Sequence, residues 1–528
     1  MKRLFFAIVL LPWLLFACND GRHQRMEQPA AMEIENLKTA TRDQAETVFD
    51  TEGYAPIAEN TFQTVKEYPL STFSIDVDKA AYSNVRRFIN DGIRPPAGAV
   101  RVEEMVNYFD YDYTAPQNGD PFNVITEVSA CPWNTEHRLV HIGIKGKEIP
   151  QVALPPSNLV FLIDVSGSMQ DEDKLPLLKK SMLLLTDNLS PDDRVAIVTY
   201  AGNAGLVLPS TSGENKSRIR EAIAELEAGG STAGGAGIQL AYQVAREHFI
   251  EKGNNRILLA TDGDFNVGES SEDALVRLIE EKRKSGVFLS VLGFGTGNYQ
   301  DSKMQQLADK GNGNHSYIDN INEAQKVLVA EFGGTLFTIA KDVKIQVEFN
   351  PGRVQAYRLI GYENRMLSKE DFNDDEKDAG EIGSGHTVTA LYEVIPPGVK
   401  NTFEKPVDDL KYQSATGRGA APASAELLTL KLRYKDVDAD RSKLITVPVA
   451  DKALTIGETS NNFRFAAAVA SFGLLLRNSA FKQNASYKQV LNLAEGALGQ
   501  DANGYRQEFL TLVKKSAALP DDGTAMND

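Results

Sequence analysis

Residues 158–174 read NLVFLIDVSGSMQDEDK, an apolar run that ends at Asp164 and leads into two serines at alternate positions. The run is short and nearly continuous, which is typical of a strand buried on both faces of a sheet. Asp164, Ser166 and Ser168 therefore follow the carboxyl end of a strand, where ligands bind in open α/β sheets. A set of oxygen donors alone indicates a hard cation.

The same pattern recurs along the following sequence. The runs RVAIVTY, NRILLAT and VFLSVLGFG are also short and apolar, and amphipathic patterns such as KLPLLKKSMLLLTDNL and EDALVRLIEEKRKSG lie between them. Strands that alternate with helices predict an α/β fold with a doubly wound, mostly parallel sheet.

Sequence rich in β-strand patterns flanks this α/β unit on both sides. FNVITEVSA and HRLVHIGIKG precede it, and DVKIQVEF, HTVTALYEVIP and ELLTLKLRYKD follow it. One β-sandwich split by the α/β unit would explain this order, and so would two separate β modules. The C-terminal part is helical, and the uncharged core of FRFAAAVASFGLLLRNSAF is too short to span a bilayer, so we expect a buried helix there.

Two later loops add oxygen donors to the same predicted edge of the sheet. Thr232 lies in the glycine-rich segment AGGSTAGGAG, and Asp262 follows the strand NRILLA. Loops at this edge of a doubly wound sheet converge on one crevice. Two carboxylates and three hydroxyls suit Mg²⁺ or Mn²⁺, whereas zinc prefers imidazole and thiolate ligands.

These donors resemble, residue by residue, the metal-ion-dependent adhesion site of von Willebrand factor type A domains, which have a Rossmann-like fold. The resemblance implies that Ser166, Ser168 and usually Thr232 contact the metal directly. It implies that Asp164 and Asp262 often act through waters. The metal would then have an open position for an acidic side chain of a protein ligand.

The N-terminus has the features of an export signal. Two basic residues precede an apolar stretch from Leu4 to Ala17, and Cys18 follows it. The tetrapeptide that ends at Cys18, LFAC, resembles a bacterial lipobox, which implies a lipid anchor in a membrane facing the periplasm. Asn19 favours the outer over the inner membrane under the sorting rule of enteric bacteria. An ordinary cleaved signal is the alternative interpretation.

The resemblance extends over most of the chain. RVEEMVNYF and NGYRQEFLTLVKK, for example, resemble segments of bacterial lipoproteins that have a central type A domain and a C-terminal domain of unknown function. The predicted order is a signal peptide at 1–17, a flexible tether at 18–60, an N-terminal α+β region at 61–156, the type A domain at 157–340, a β-rich domain at 341–460 and a helical region at 461–528.

Composition excludes several other classes of function. The net charge of −16 argues against nucleic-acid binding, which needs a basic face. The six histidines are scattered, so no nucleophile with a neighbouring base is visible. A phosphatase of the haloacid dehalogenase type would need an aspartate at Ser166. Besides Cys18 there is one cysteine, Cys131, which we expect to pack as a small hydrophobic residue.

The sequence therefore predicts a membrane-anchored, divalent-metal-dependent protein-binding module of the bacterial cell envelope, and not an enzyme. Its predicted partners are a protein ligand with an acidic side chain and, through Cys18, a membrane. One alternative is a structural or assembly scaffold in which the metal only stabilises the fold. A metal-assisted hydrolase is a third and weaker alternative.

Overall fold

The structure, a computed structural model, describes residues 51–117, 119–150, 153–230, 234–263, 272–331, 337–377, 379–403 and 424–520. The predicted signal peptide, the predicted lipidation site Cys18 and the predicted metal ligand Thr232 lie outside the described residues.

The strands are numbered in chain order. They are β1 (Gln63–Thr64), β2 (Leu70–Ser74), β3 (Phe122–Cys131), β4 (Asn134–Gly146), β5 (Ser157–Asp164), β6 (Arg194–Tyr200), β7 (Ala204–Ser212), β8 (Asn254–Thr261), β9 (Phe288–Phe294), β10 (His315–Ile318), β11 (Thr338–Phe349), β12 (Ala356–Ile360), β13 (Gly380–Gly383), β14 (Thr387–Ile395), β15 (Glu426–Lys435) and β16 (Lys443–Ala450).

The α-helices follow the same convention. They are α1 (Ala80–Asn90), α2 (Val102–Asn107), α3 (Leu175–Asn188), α4 (Lys216–Ala224), α5 (Gly234–Glu247), α6 (Glu272–Arg283), α7 (Asp301–Lys310), α8 (Ile321–Gln325), α9 (Asn461–Leu476), α10 (Tyr487–Glu495) and α11 (Tyr505–Ala517).

The central sheet has the strand order β10-β9-β8-β5-β6-β7. Its first five strands are parallel, and β7 pairs with β6 in the antiparallel direction. Every residue of β5 and of β8 is buried, because helices cover both faces of the sheet. The prediction of a doubly wound, mostly parallel α/β unit is confirmed. Because β5 lies between β6 and β8, the chain order changes direction there, and loops on both sides of β5 open onto one crevice.

The β-rich flanks pair with each other. Val140 of β4 pairs with Tyr392 of β14, and Phe73 of β2 pairs with Ile345 of β11. The two resulting sheets have the orders β1-β12-β14-β4-β3 and β13-β11-β15-β16, with β2 also on β11. Buried residues of both sheets share one hydrophobic core. Of the two arrangements compatible with the sequence, the structure has the single β-sandwich, into which the α/β unit is inserted.

The C-terminal helices form a further core with the N-terminal helices. Twelve of the 16 residues of α9 are buried, which confirms the expected buried helix. The ring of Phe465 in α9 packs edge-on against Phe109, with ring centroids 4.9 Å apart. Cys131 is a free thiol buried in this core, as expected for a small hydrophobic residue. None of the helices in the described ranges is long and apolar enough to cross a membrane.

One correction concerns the end of the predicted tether. Residues 51–60 fall within it, yet the structure places residues 51–55 against the α/β unit. The amide of Gly53 donates to the carbonyl of Tyr299 at 2.9 Å. Glu52 forms a partly buried ion pair with Arg87 of α1 at 2.7 Å. The polar composition of this segment had indicated a flexible tether, because composition gives no information about specific backbone hydrogen bonds and ion pairs.

Candidate metal-binding site

The candidate site lies at the carboxyl edge of the central sheet, where β5 and β8 end side by side. Asp164 is the last residue of β5, and Asp262 directly follows the last residue of β8. The two strands are in parallel register up to the pair Ile163 and Ala260. Both aspartates have no exposed surface. The structure thus brings these two predicted residues together at the predicted edge.

The first loop presents its two serine hydroxyls close together. The amide of Ser166 donates to Oδ1 of Asp164 at 2.9 Å, which turns the chain directly after the strand. The Oγ atoms of Ser166 and Ser168 lie 3.1 Å apart. Ligands on neighbouring vertices of an octahedron with bonds of about 2.0–2.1 Å are separated by about 3 Å. The spacing of the two hydroxyls therefore fits two adjacent ligands of a Mg²⁺-sized ion.

The carboxylate of Asp164 is also hydrogen-bonded by side chains of the sheet. Its Oδ2 atom lies 3.3 Å from the hydroxyls of both Tyr200 and Thr261, which can donate to it. Burial raises the pKa of Asp164 to about 6, and the charge of Asp262 acts in the same direction. Hydrogen bonds from Ser166 oppose that shift. Two buried carboxylates at one edge therefore favour a positive charge beside them.

The glycine-rich loop is hydrogen-bonded to the loop that contains Ser166 and Ser168, here called the serine loop. The amide of Gly229 donates to the carbonyl of Val165 at 2.7 Å, and the amide of Gly167 donates to the carbonyl of Gly230 at 3.1 Å. Gly230 has a φ of +89°, a conformation that favours glycine. This loop leads to Thr232, two residues further on, whose role as a ligand stays a prediction.

Lys174 is a site residue that the sequence reasoning missed. Its Nζ atom donates to Oδ2 of Asp262 at 3.1 Å and to the carbonyl of Ser168 at 2.9 Å. The residue is only 4% exposed. Its alkyl chain packs against Gly295, where an added Cβ would lie 2.3 Å from Cγ of Lys174. In the sequence, Lys174 stands at the end of the acidic segment QDEDK, so it looked like a solvated surface residue.

The donor set fits a hard cation, and a lysine beside it already neutralises part of its negative charge. No group of three or more His, Cys, Asp or Glu side chains in the described residues could hold a metal, so hydroxyls must supply part of the ligand set. Ser166 and Ser168 have the required spacing, and Asp164 and Asp262 supply negative charge behind them. The ammonium of Lys174 already compensates part of the charge of Asp262.

Comparison with known proteins places the chain in a family. Residues 48–141 match the family model described as von Willebrand factor, residues 158–330 match the von Willebrand factor type A domain, and residues 334–519 match the model described as uncharacterized protein YfbK, C-terminal. The uncharacterized protein YfbK of Escherichia coli (strain K12) is 45% identical over 478 residues, which cover 89% of this chain and 82% of that protein. The chain belongs to the YfbK family.

Other proteins match this YfbK-family chain at lower sequence identity. Inter-alpha-trypsin inhibitor heavy chain H4 of Homo sapiens is 31% identical over 148 residues, which are 26% of this chain and 16% of that protein. A solved structure, von Willebrand factor type A from Catenulispora acidiphila, covers 86% of this chain and 91% of its own chain, with 14% identity and a TM-score of 0.39. The central part of this YfbK-family protein, residues 158–330, is a type A domain, and type A domains typically serve as protein-interaction modules.

Proposed function

We propose that this YfbK-family protein is a divalent-metal-dependent protein-binding module, held at a membrane of the bacterial cell envelope by a lipid on Cys18, and not an enzyme. The observation that carries the metal dependence is the 3.1 Å separation of the Ser166 and Ser168 hydroxyls at the edge of the sheet. The buried carboxylates of Asp164 and Asp262 behind them supply the negative charge that a cation needs.

In this proposal each residue has a defined task. Ser166 and Ser168, joined by Thr232, hold Mg²⁺ or Mn²⁺ directly, and Asp164 and Asp262 hold water molecules around it. A bound cation of this kind supplies a position for an acidic side chain of the partner protein. Hydrogen bonds from Ser166, Tyr200 and Thr261 orient Asp164 for its task.

The location at a membrane rests on the N-terminal sequence. LFAC ends at Cys18 after a short apolar stretch, and Asn19 favours the outer membrane. The acidic net charge of −16 supports a protein partner over a nucleic acid.

The experiment is a capture assay with the immobilised full chain and a detergent-solubilised envelope extract, in Mg²⁺ or in EDTA. We expect one or more proteins to be retained in Mg²⁺ and released by EDTA. Asp164→Ala should abolish retention, because it removes a carboxylate behind the ion. Asp187→Ala is the matched control, since Asp187 is an exposed aspartate of the same domain. Retention that is equal in Mg²⁺ and EDTA would contradict the metal dependence.

A second candidate function is a structural or assembly scaffold, and the position of Lys174 favours it. Its ammonium already pairs with Asp262, so the fold has a positive charge at this edge without a metal. In that case Mg²⁺ would raise the melting temperature of the chain while no envelope protein was retained by it, since an ion that binds only the native state stabilises that state.

A further inference from the structure

A polar cavity lies at the opposite, amino-terminal edge of the central sheet, where the α/β unit meets the β-sandwich. Its volume is about 410 Å³, within the range of small-molecule sites. Arg256 of β8 and Asn314, just before β10, line it from the α/β unit. Thr338 and Gly380 line it from the sandwich. Arg256 precedes Asp262 by six residues, so this cavity is about 20 Å along the strand from the candidate metal site.

Arg256 is a buried cation that is incompletely satisfied. It is 2% exposed, and its Nη1 atom donates to Oγ of Ser290 at 2.7 Å. Its Nε atom has no hydrogen-bond partner among the described residues. Burial lowers the pKa of Arg256 to about 10, and the charge of Glu381 opposes that shift only in part. A buried guanidinium without a full set of hydrogen-bond partners is stabilised by an anion that enters the cavity.

An unsatisfied acidic group lines the same cavity. Oδ1 of Asp309 is buried and has no hydrogen-bond partner in the described part of the chain, while Oδ2 lies 2.8 Å from Nη1 of Arg365. Arg365 also pairs with Asp76 at 3.1 Å and with Asp78 at 2.9 Å. Three carboxylates therefore share the guanidinium of Arg365, and Oδ1 of Asp309 is left as a buried acceptor without a donor in the described residues.

We infer that this cavity binds a small ligand that carries both a carboxylate and a primary ammonium group, as an amino acid or a short peptide does. The planar fork of Arg256 suits a carboxylate, and the unsatisfied oxygen of Asp309 suits an N–H donor. The rest of the lining also contains charges of both signs, as a zwitterion requires, from Glu280, Glu381, Arg283, Lys310 and Lys377. The inference does not depend on the metal site or on the proposed function.

The test is isothermal titration calorimetry on the full chain in EDTA, so that the metal site plays no part. The probes are glycine, glycylglycine and triglycine, with N-acetylglycylglycine, glycylglycine amide and inorganic phosphate as comparisons. We expect at least one of the three zwitterions to bind. Blocking either end of glycylglycine should weaken its binding about tenfold or more, because each charged end loses its partner. Glycine against triglycine distinguishes a free amino acid from a peptide as the preferred ligand.

A variant of the cavity and a matched surface variant test whether the ligand binds in this cavity. Arg256→Gln should weaken binding of the preferred zwitterion about tenfold or more. Arg220→Gln is the matched control and should bind as wild type does, since Arg220 is an exposed arginine of the same domain. The inference is overturned if phosphate binds more tightly than every zwitterion, if the blocked derivatives bind equally well, or if none of the zwitterions binds. If Arg256→Gln does not fold, the comparison of blocked and free peptides on wild type decides the question alone.

Discussion

The ammonium of Lys174 lies 3.1 Å from Oδ2 of Asp262, inside the site at which the type A domain offers its oxygen donors. Lys174 also donates to the backbone carbonyl of Ser168, so one side chain links the serine loop to the aspartate that follows β8. The site therefore has an internal positive charge of its own. A divalent cation bound at this site would share Asp262 with that charge.

Lys174→Met should make the chain more dependent on metal. Without metal, the change leaves Asp262 buried without its ammonium partner, which we expect to cost about 3 kcal/mol of unfolding free energy. With Mg²⁺, the repulsion between ammonium and metal is absent, so the metal-induced rise in melting temperature should exceed that of wild type. Thermal unfolding in EDTA and in Mg²⁺ measures both effects.

The control for this variant is Lys180→Met, because Lys180 is an exposed lysine of α3, the helix that begins directly after Lys174. It should behave as wild type in both buffers. An equal rise in melting temperature for Lys174→Met and wild type would show that Lys174 and the metal do not share Asp262.

Ser168→Ala should weaken Mg²⁺ binding about tenfold or more while the fold is retained. The change removes one of the two hydroxyls that lie 3.1 Å apart, and Ser168 is only partly buried, so little packing is lost. Calorimetric titration of Mg²⁺ into each variant measures the affinity. Ser217→Ala, at an exposed serine of α4, is the control that should leave the affinity unchanged. Unaltered binding by Ser168→Ala would remove this serine from the ligand set.

Gly295→Ala should destabilise the chain and disturb Lys174. Gly295 has a φ of +70°, and an added Cβ would lie 2.3 Å from Cγ of Lys174. We expect a loss of about 1–3 kcal/mol from the backbone conformation, with a further cost from the displaced side chain. Gly457→Ala is the control, because nothing lies within 4 Å of its added Cβ. Urea unfolding compares the two, and equal stabilities would contradict the close packing on Lys174.

Glu331 should give the chain a stability that is lost in acid. Burial alone would raise the pKa of Glu331, but Lys326 at 2.7 Å and Lys79 at 2.9 Å together lower it to about 2. The unfolded chain, with an ordinary glutamate pKa, therefore takes up this proton at higher pH than the folded chain does. The resulting stability, about 3 kcal/mol, is complete near neutral pH and is lost as the pH falls below about 5.

Urea unfolding of Glu331→Gln checks that expectation. The variant should be less stable than wild type at pH 7, and the difference should shrink as the pH falls toward about 3. Glu348→Gln, at an exposed glutamate with a single lysine partner, should show little difference at either pH. A difference for Glu331→Gln that did not change with pH would mean that this carboxylate does not act through its charge.

The sequence was sufficient for the central strands and for placing Asp164 and Asp262 at one edge of the sheet. β5 and β8 are buried on both faces, so their sequences are continuous apolar runs, and the residues that follow them could be placed at one edge. By contrast β7, at the edge of the sheet, has several exposed residues and lacks such a run. The sequence reasoning therefore did not identify it as a strand.

Features that depend on distant contacts could not be predicted in the same way. The pairing of β4 with β14 joins residues far apart in the chain, and period-two alternation does not specify a partner. Lys174 became a site residue only because the fold buries its ammonium beside Asp262. Arg256 did leave a signal, since it is the one charged residue within the buried run of β8.

The insertion of the α/β unit into the β-sandwich also imposes an order on biosynthesis. β4 ends at Gly146 and its neighbour β14 begins at Thr387, so the ribosome must make the entire type A domain between them. During that interval one edge of β4 has no partner strand, and such an edge can pair with other chains. The sandwich can close only after its last strands have been made, so a partly folded state with an open strand edge precedes the closed sandwich.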